Sequence, residues 1–384
     1  MQRMTPAVLL SVSLLAFGLV AAPAVAGPPP FTTTELIGGG TPITNGNDLL
    51  LAIGAAVPGT LIKLEPGTYD LQGQQILLPD FVDIEGSGRD ITTIFSDLTG
   101  AITTPTVVDV SAGINGEIRQ LTIRAAAETA VGVTSRSDEL LLTEVNIELE
   151  TNRSAVGVRI DGAASRLDEI FVRIFGANGN AIGFEITGGG EPALTSCLYF
   201  ASNVVRRSIG VLIDEASPVI ESTILFSLFN GTNVGVLVSG PTTQATIRNV
   251  RAVVQGDESI GVNVIKQSNA RIKESSFFVR SDTLAAGIQL EEATAKVTET
   301  TFNVASLFGF SPNVWGARLD GPANLDSNQS NYESSVFAVE NAGTGAARFG
   351  ASQLIGAAVP AVFGPLVCAQ SYNGAYAPVN NFCN

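Results

Sequence analysis

Apolar and polar positions along this chain fall into a beat of about 26 residues. Each beat is an apolar residue, a glycine, and then an outward-facing residue between two apolar ones. It reads Val156-Gly157-Val158-Arg159-Ile160, then Ile182-Gly183-Phe184-Glu185-Ile186, then Ile209-Gly210-Val211-Leu212-Ile213. From Gly132 to Gly316, successive glycines of the beat lie 25, 26, 27, 25, 26, 26 and 29 residues apart. A fixed period of this length marks a solenoid. Within a beat, two or three short runs alternate with period two, and no helical period intervenes. Val158, Ile160, Leu167, Ile170, Val172 and Ile174 are expected inward, and Arg159, Arg166 and Arg173 outward. Turn formers such as Asp161-Gly162 and Asp320-Gly321 follow the first run. Strands and turns that repeat once per coil, without crossover helices, predict an all-β fold, a parallel β-helix. The Leu-x-x-Leu-x-Leu spacing of a leucine-rich repeat is absent.

An open solenoid end is an unpaired sheet edge that templates aggregation, so both ends should be closed. Asn47-Asp48 opens an apolar segment over residues 49–56 that predicts a short capping helix. Strands follow at Leu61-Ile62-Lys63-Leu64 and Phe81-Val82-Asp83-Ile84. Residues 351–384 lose the beat and are expected to form an irregular C-terminal cap, leaving 27–350 as the β-helix. Within that cap, Cys368 and Cys383 lie 15 residues apart. A disulfide closing that loop would contribute roughly 3 kcal/mol. Cys197 falls where neighbouring repeats carry Ile170, Thr223 and Val250, which predicts a small core residue.

Residues 1–26 have the form of a secretory signal peptide. Arg3 is the positive region, residues 8–20 are apolar, and Ala24-Val25-Ala26 precedes Gly27. The apolar run is too short to span a membrane. The expected location is therefore extracellular, at the cell surface or in the periplasm. Removing the signal takes away one arginine and no acid, so the net charge goes from −15 to −16. Such a surface repels nucleic acid, anionic lipid and, without a bridging cation, polyanionic polysaccharides.

The run Gly59-Thr60-Leu61-Ile62-Lys63-Leu64-Glu65-Pro66-Gly67-Thr68-Tyr69, with Ile84-Glu85-Gly86-Ser87-Gly88 and Thr92-Thr93-Ile94, resembles the N-terminal coil of pectin-lyase-like proteins. That resemblance implies a right-handed coil. It implies no activity, because this fold hosts lyases, hydrolases, esterases, adhesins and other secreted proteins.

The chain has no histidine. His triads, His metal sites and a His general base are excluded, so any catalysis must run on carboxylates, Lys, Arg or Tyr. Arg271-Ile272-Lys273 is similar to the Arg-Ile-Lys of polygalacturonases. The Gly-His-Gly and paired aspartates that accompany it there are missing. Asp80-Phe81-Val82-Asp83 is similar to part of the pectin methylesterase motif but lies in the first coil, without the Leu-Gly-Arg-Pro-Trp partner. Pectate lyase signatures are absent, and no family catalytic residue carries over.

Equivalent positions of adjacent coils stack about 4.8 Å apart, so the remaining candidates are ladders. One aligns Glu144, Glu169, Ser196, Ser222, Asn249, Glu274, Glu299 and Glu333. Stacked carboxylates raise one another's pKa unless a cation intervenes. Glu274, Glu299 and Glu333, with Lys273 beside them, are therefore the catalytic candidates, or else a Ca²⁺ ledge. The alternative is a solvated turn column. A second column, Asp161, Asp214, Glu291 and Asp320, reads as turn chemistry. The outward position of the first strand reads Thr134, Arg159, Glu185, Leu212, Leu237, Asn263, Gln289 and Arg318. An Arg159–Glu185 pair and an apolar step at Leu212 and Leu237 are expected there, with Tyr199, Phe226 and Phe278 on other outward positions. No metal site or cofactor other than Ca²⁺ is indicated. The sequence reading is a secreted β-helix that binds a polysaccharide or a surface protein. Its rival is a polysaccharide lyase or glycoside hydrolase built on the glutamate ledge.

Overall fold

Each coil hydrogen-bonds in parallel to the equivalent stretch of the next, so the periodicity of the sequence becomes the pitch of the molecule. The structure is a computed structural model that describes residues 33–98, 105–204, 206–228, 230–307, 313–356, 365–373 and 375. The expected signal peptide, residues 1–26, lies outside the described residues. The chain is a right-handed parallel β-helix of about 11 turns, with one short helix near the N-terminus.

Three sheets run the length of the coil. The first holds the glycine beat, in strands such as Asn180–Thr187, Arg207–Asp214 and Thr232–Ser239. The second holds short strands such as Ala193–Thr195, Val219–Glu221 and Gln244–Arg248. The third follows at Leu198–Ser202 and Ile224–Leu228. Some strands bend through more than one sheet without a break, as Leu140–Asp161 does.

Alternation places the expected residues inside. Val158, Ile160, Ile186, Ile213, Val238, Val264 and Leu290 are all buried, with Ile213 at 0% exposure. Phe277, Phe302 and Tyr332 stack within the core at 5.2 Å between successive ring centroids. The beat glycines sit where coils touch. A Cβ on Gly210 would lie 2.6 Å from the Gly235 oxygen and 3.0 Å from a Leu225 methyl, so no side chain fits.

The turn between the second and third sheets is a single residue in the left-handed region. Glu144, Glu169, Ser196, Ser222, Asn249, Glu274, Glu299 and Gln329 have φ between 51° and 55°. The next residue points inward and binds the backbone on both sides of the turn. Ser275, Thr300, Ser330 and Ser352 each donate a side-chain hydroxyl to the carbonyl two residues back. Each hydroxyl oxygen also accepts the amide of the equivalent residue, or of Val250, one coil earlier. An interior hydroxyl ladder therefore satisfies groups that the sharp turn would otherwise orphan.

The capping helix is Pro42–Ala55, which begins well before the expected start. Thr41 is its N-cap, accepting the Thr44 amide at 3.2 Å, and Pro42 occupies the first turn where its missing N–H costs nothing. Gly46 lets this helix approach the Asp70 carbonyl, which lies 1.9 Å from where a Cβ would be. Leu49, Ala52 and Ile53 close the core. At the other end the ladder runs past residue 350, because Ala347–Gly350 pairs with Leu366–Ala369 and Gln353–Ile355 with Tyr372–Asn373. Cys368 is buried on this last rung, and Cys383 lies outside the described residues. Cys197 is a buried free thiol, and burial pushes its pKa up to about 12.

Candidate functional site

The expected glutamate ledge is not one site. Glu274 and Glu299 occupy consecutive left-handed corners, but the next corner is Gln329. Glu333 belongs to the third sheet, in register with Asn303, whose amide nitrogen lies 3.1 Å from its carboxylate. Sequence alignment of the two Glu-Ser/Thr-Ser/Thr strings slipped because the 329–331 turn precedes Tyr332, which is the true partner of Phe302. Glu274 is bound by Lys273 at 3.0 Å and Arg248 at 3.3 Å. Their hydrogen bonds, Lys273 first, hold its carboxyl below the usual range, which is wrong for a proton donor. No three Asp, Glu or Cys side chains converge as a metal site would need among the described residues.

Asp161 and Asp214 are separated by Thr187, whose hydroxyl reaches Asp161 at 3.3 Å. Tyr199 differs from expectation. The third strand starts at Leu198, so Tyr199 turns inward, is fully buried, and its hydroxyl lies 2.7 Å from Ser208 Oγ. Phe226 and Phe278 do lie on the outer face, half-buried, and Arg280 covers Phe278 at 4.6 Å. The hollow among Asp83, Glu117, Asp138 and Arg166, about 590 Å³, carries aspartates engaged in the backbone. Asp83 accepts the Glu117 amide at 2.8 Å and Asp138 the Ala164 amide at 2.7 Å.

The distinctive chemistry lies on the outer face of the first sheet. Two columns face outward there. One is the residue before each beat glycine or its equivalent, ending Ile209, Val234, Ile260, Ala286, Trp315, Phe337. The other ends Leu212, Leu237, Asn263, Gln289, Arg318, Glu340. The face changes character along its length. Arg159 pairs with Glu185 at 2.5 Å near the start, as the sequence suggested. In the middle, Ile209, Val234 and Leu237 form a separate buried cluster, so the expected apolar step is not exposed at Leu237.

The last coils are polar. Arg318 Nε lies 3.1 Å from Asp320 and 3.8 Å from Glu340, and its guanidinium sits 4.5 Å over the Trp315 ring. Gln289 extends its amide nitrogen toward Asp320 at 3.5 Å. Ten buried side-chain polar atoms have no hydrogen-bond partner among the described residues, and five belong here: Asn263 Oδ1, Gln289 Oε1, Trp315 Nε1, Arg318 Nε and Glu340 Oε2. Arg318 Nε faces Asp320 as an ion pair but off the hydrogen-bond angle. Trp315 is 5% exposed. Burial pushes Glu340 above the usual carboxylate range; Arg318 opposes this and Asp320 adds to it. Native proteins rarely leave so many buried polar atoms together without partners. The cluster sets donors and acceptors side by side just beneath the outer face of the first sheet. The sequence had placed Asn263, Gln289 and Arg318 on this column. What it could not reveal was Glu340, which comes after the beat has lost its glycine at Ala338.

No family model matches this chain, and no curated protein matches it. Among solved structures it is similar to the A-module of a mannuronan C-5 epimerase from Azotobacter vinelandii. The identity is 12% and the TM-score 0.48, over 88% of this chain and 95% of that one. It is similar also to the catalytic unit of an α-1,3-glucanase from Streptomyces thermodiastaticus, at 12% identity and TM-score 0.46, over 91% of this chain and 70% of that one. A third is the DFA-IIIase of Arthrobacter chlorophenolicus A6, at 12% and 0.44, over 79% and 94%. These likenesses concern the course of the backbone, and no site residue transfers from them.

Proposed function

We propose that the protein is exported, with residues 1–26 as its signal, and binds a neutral polysaccharide across the outer face of the first sheet. The observation that carries this reading is the row of polar side chains Asn263, Gln289, Arg318 and Glu340 along one outward column, with Asn263 Oδ1, Gln289 Oε1 and Trp315 Nε1 lacking hydrogen-bond partners just beneath it. Sugar hydroxyls both donate and accept, and so satisfy such a mixed set. Around Arg318 stand Asp320, Glu340 and, one rung from Asp320, Glu291. That acidic balance favours a neutral ring over a uronate.

Glycoside cleavage is the second reading. It is favoured by Glu340, a carboxyl whose pKa burial raises, which suits it to donate a proton to a glycosidic oxygen. The test is a neutral-glycan array with the exported protein, followed by reducing-sugar release on any ligand found. Trp315→Phe removes the Nε1 donor and shrinks the ring under Arg318, and should weaken binding about tenfold. Glu340→Gln should retain binding and abolish any release. Binding unaltered by Trp315→Phe and by Gln289→Ala would place the ligand elsewhere.

A further inference from the structure

A second groove, of about 400 Å³, opens on the outer face of the second sheet around Arg271 and Lys296. Strand register stacks these two residues on adjacent rungs. Beside them, register stacks Gln244, Asn269, Thr294 and Asn324 in a column of amides and hydroxyls. Between the columns the inward-facing residues are Ala245, Ala270 and Ala295, all buried. Both basic side chains are exposed, and neither makes an ion pair with a described residue. Their neighbours differ. Arg248 is held by Glu221 and Glu274, and Lys273 by Glu274. Asp326 is next in register after Lys296 and bounds the charged stretch, with Arg348 beyond it.

In a chain of net charge −15, this groove sets two cations on adjacent rungs with neither held in an ion pair. A rung repeat of about 4.8 Å places them as successive contacts for groups strung along a polymer. The amide and hydroxyl column offers hydrogen bonds to the uncharged parts of the same strand. We propose that this groove binds an acidic polysaccharide, with carboxylate or sulfate groups on Arg271 and Lys296 and sugar hydroxyls on Gln244, Asn269 and Thr294. It is distinct in face and charge from the Trp315 site. The acidic net charge repels polyanions at long range, and this groove would be a local point of attraction. The site would tether the protein to an acidic matrix while the first sheet engages a neutral chain.

The experiment is a titration of the full exported chain with polygalacturonate, with a sulfated glycan of the heparin type, and with a neutral glucan, in low salt without Ca²⁺. Binding of one or both acidic polymers is expected, and the pattern between the two separates carboxylate from sulfate recognition. The double variant Arg271→Gln/Lys296→Gln should weaken it roughly five- to tenfold, and raising salt should weaken it further. Both positions are exposed, so the thermal midpoint should hold, and Trp315→Phe should leave acidic-polymer binding unchanged. Failure of both acidic polymers to bind, or binding unaltered in the double variant, overturns the proposal.

Discussion

The Ser275 amide points at the Thr300 hydroxyl oxygen across 3.4 Å, and that hydroxyl donates in turn to the Thr298 carbonyl at 2.9 Å. One side chain thus serves two backbone groups on two different coils. Thr300→Val keeps the shape and removes both bonds inside a buried turn, and should cost about 1–3 kcal/mol. Thr300→Ser should cost far less. Denaturant midpoints at constant slope would measure the difference.

Glu299 should behave as a turn residue. Its φ of 51° is strained for any residue with a Cβ. Glu299→Gly should be neutral or stabilising by up to about 1 kcal/mol, and Glu299→Val destabilising by a similar amount. Loss of glycan binding in Glu299→Gly would restore the ledge as a site.

Gly261→Ala should be among the most damaging small substitutions. The new Cβ would stand 2.5 Å from the Gly287 oxygen and 3.1 Å from Phe277 Cβ, both fixed by neighbouring coils. About 1–3 kcal/mol or more should be lost by thermal or chemical unfolding.

The raised pKa of Glu340 sets a sign. The folded state holds this proton more tightly than the unfolded chain does. Its contribution is therefore fully present below the unfolded pKa, near 4.5, and is lost as pH rises through the higher folded value. Glu340→Gln should thus be more stable than the parent at neutral pH, with the advantage shrinking on acidification. Melting curves from about pH 4 to 7 would show it. A stable variant that has lost function would mark the group as retained for chemistry.

Cys197 should resist alkylation at pH 8 in the native protein, since its thiol is buried and pushed up to about 12. It should react once the chain unfolds. Non-reducing peptide mapping of exported protein should recover Cys368 joined to Cys383.

Much of the fold is legible in the sequence. The inward set from Val158 to Leu290 follows from period-two alternation, which burial in a solenoid enforces on every coil. The stacking of Asn263 on Gln289 on Arg318 followed from the glycine beat alone. What escaped reading came from places where the beat breaks. Glu333 falls outside the column because the coil after Glu299 is longer than the beat, so the next left-handed corner is Gln329 and the similar Glu-Ser-Ser string lies just beyond it, in the third sheet. The helix starts earlier than Asn47-Asp48 implies, because Thr41 caps it and Pro42 fills its first turn. The burial of Trp315 and the missing partners around it depend on side-chain packing across coils, which no single-coil pattern encodes.

Trp315 is the only tryptophan in the chain. Its indole stands under the Arg318 guanidinium, in the polar patch of the first sheet. The molecule therefore carries its own optical gauge. With excitation at the red edge of aromatic absorption, emission reports on that patch and on little else among seven per cent aromatic residues. A sugar that settles there should shift the emission, and one that settles on the second sheet should leave it silent.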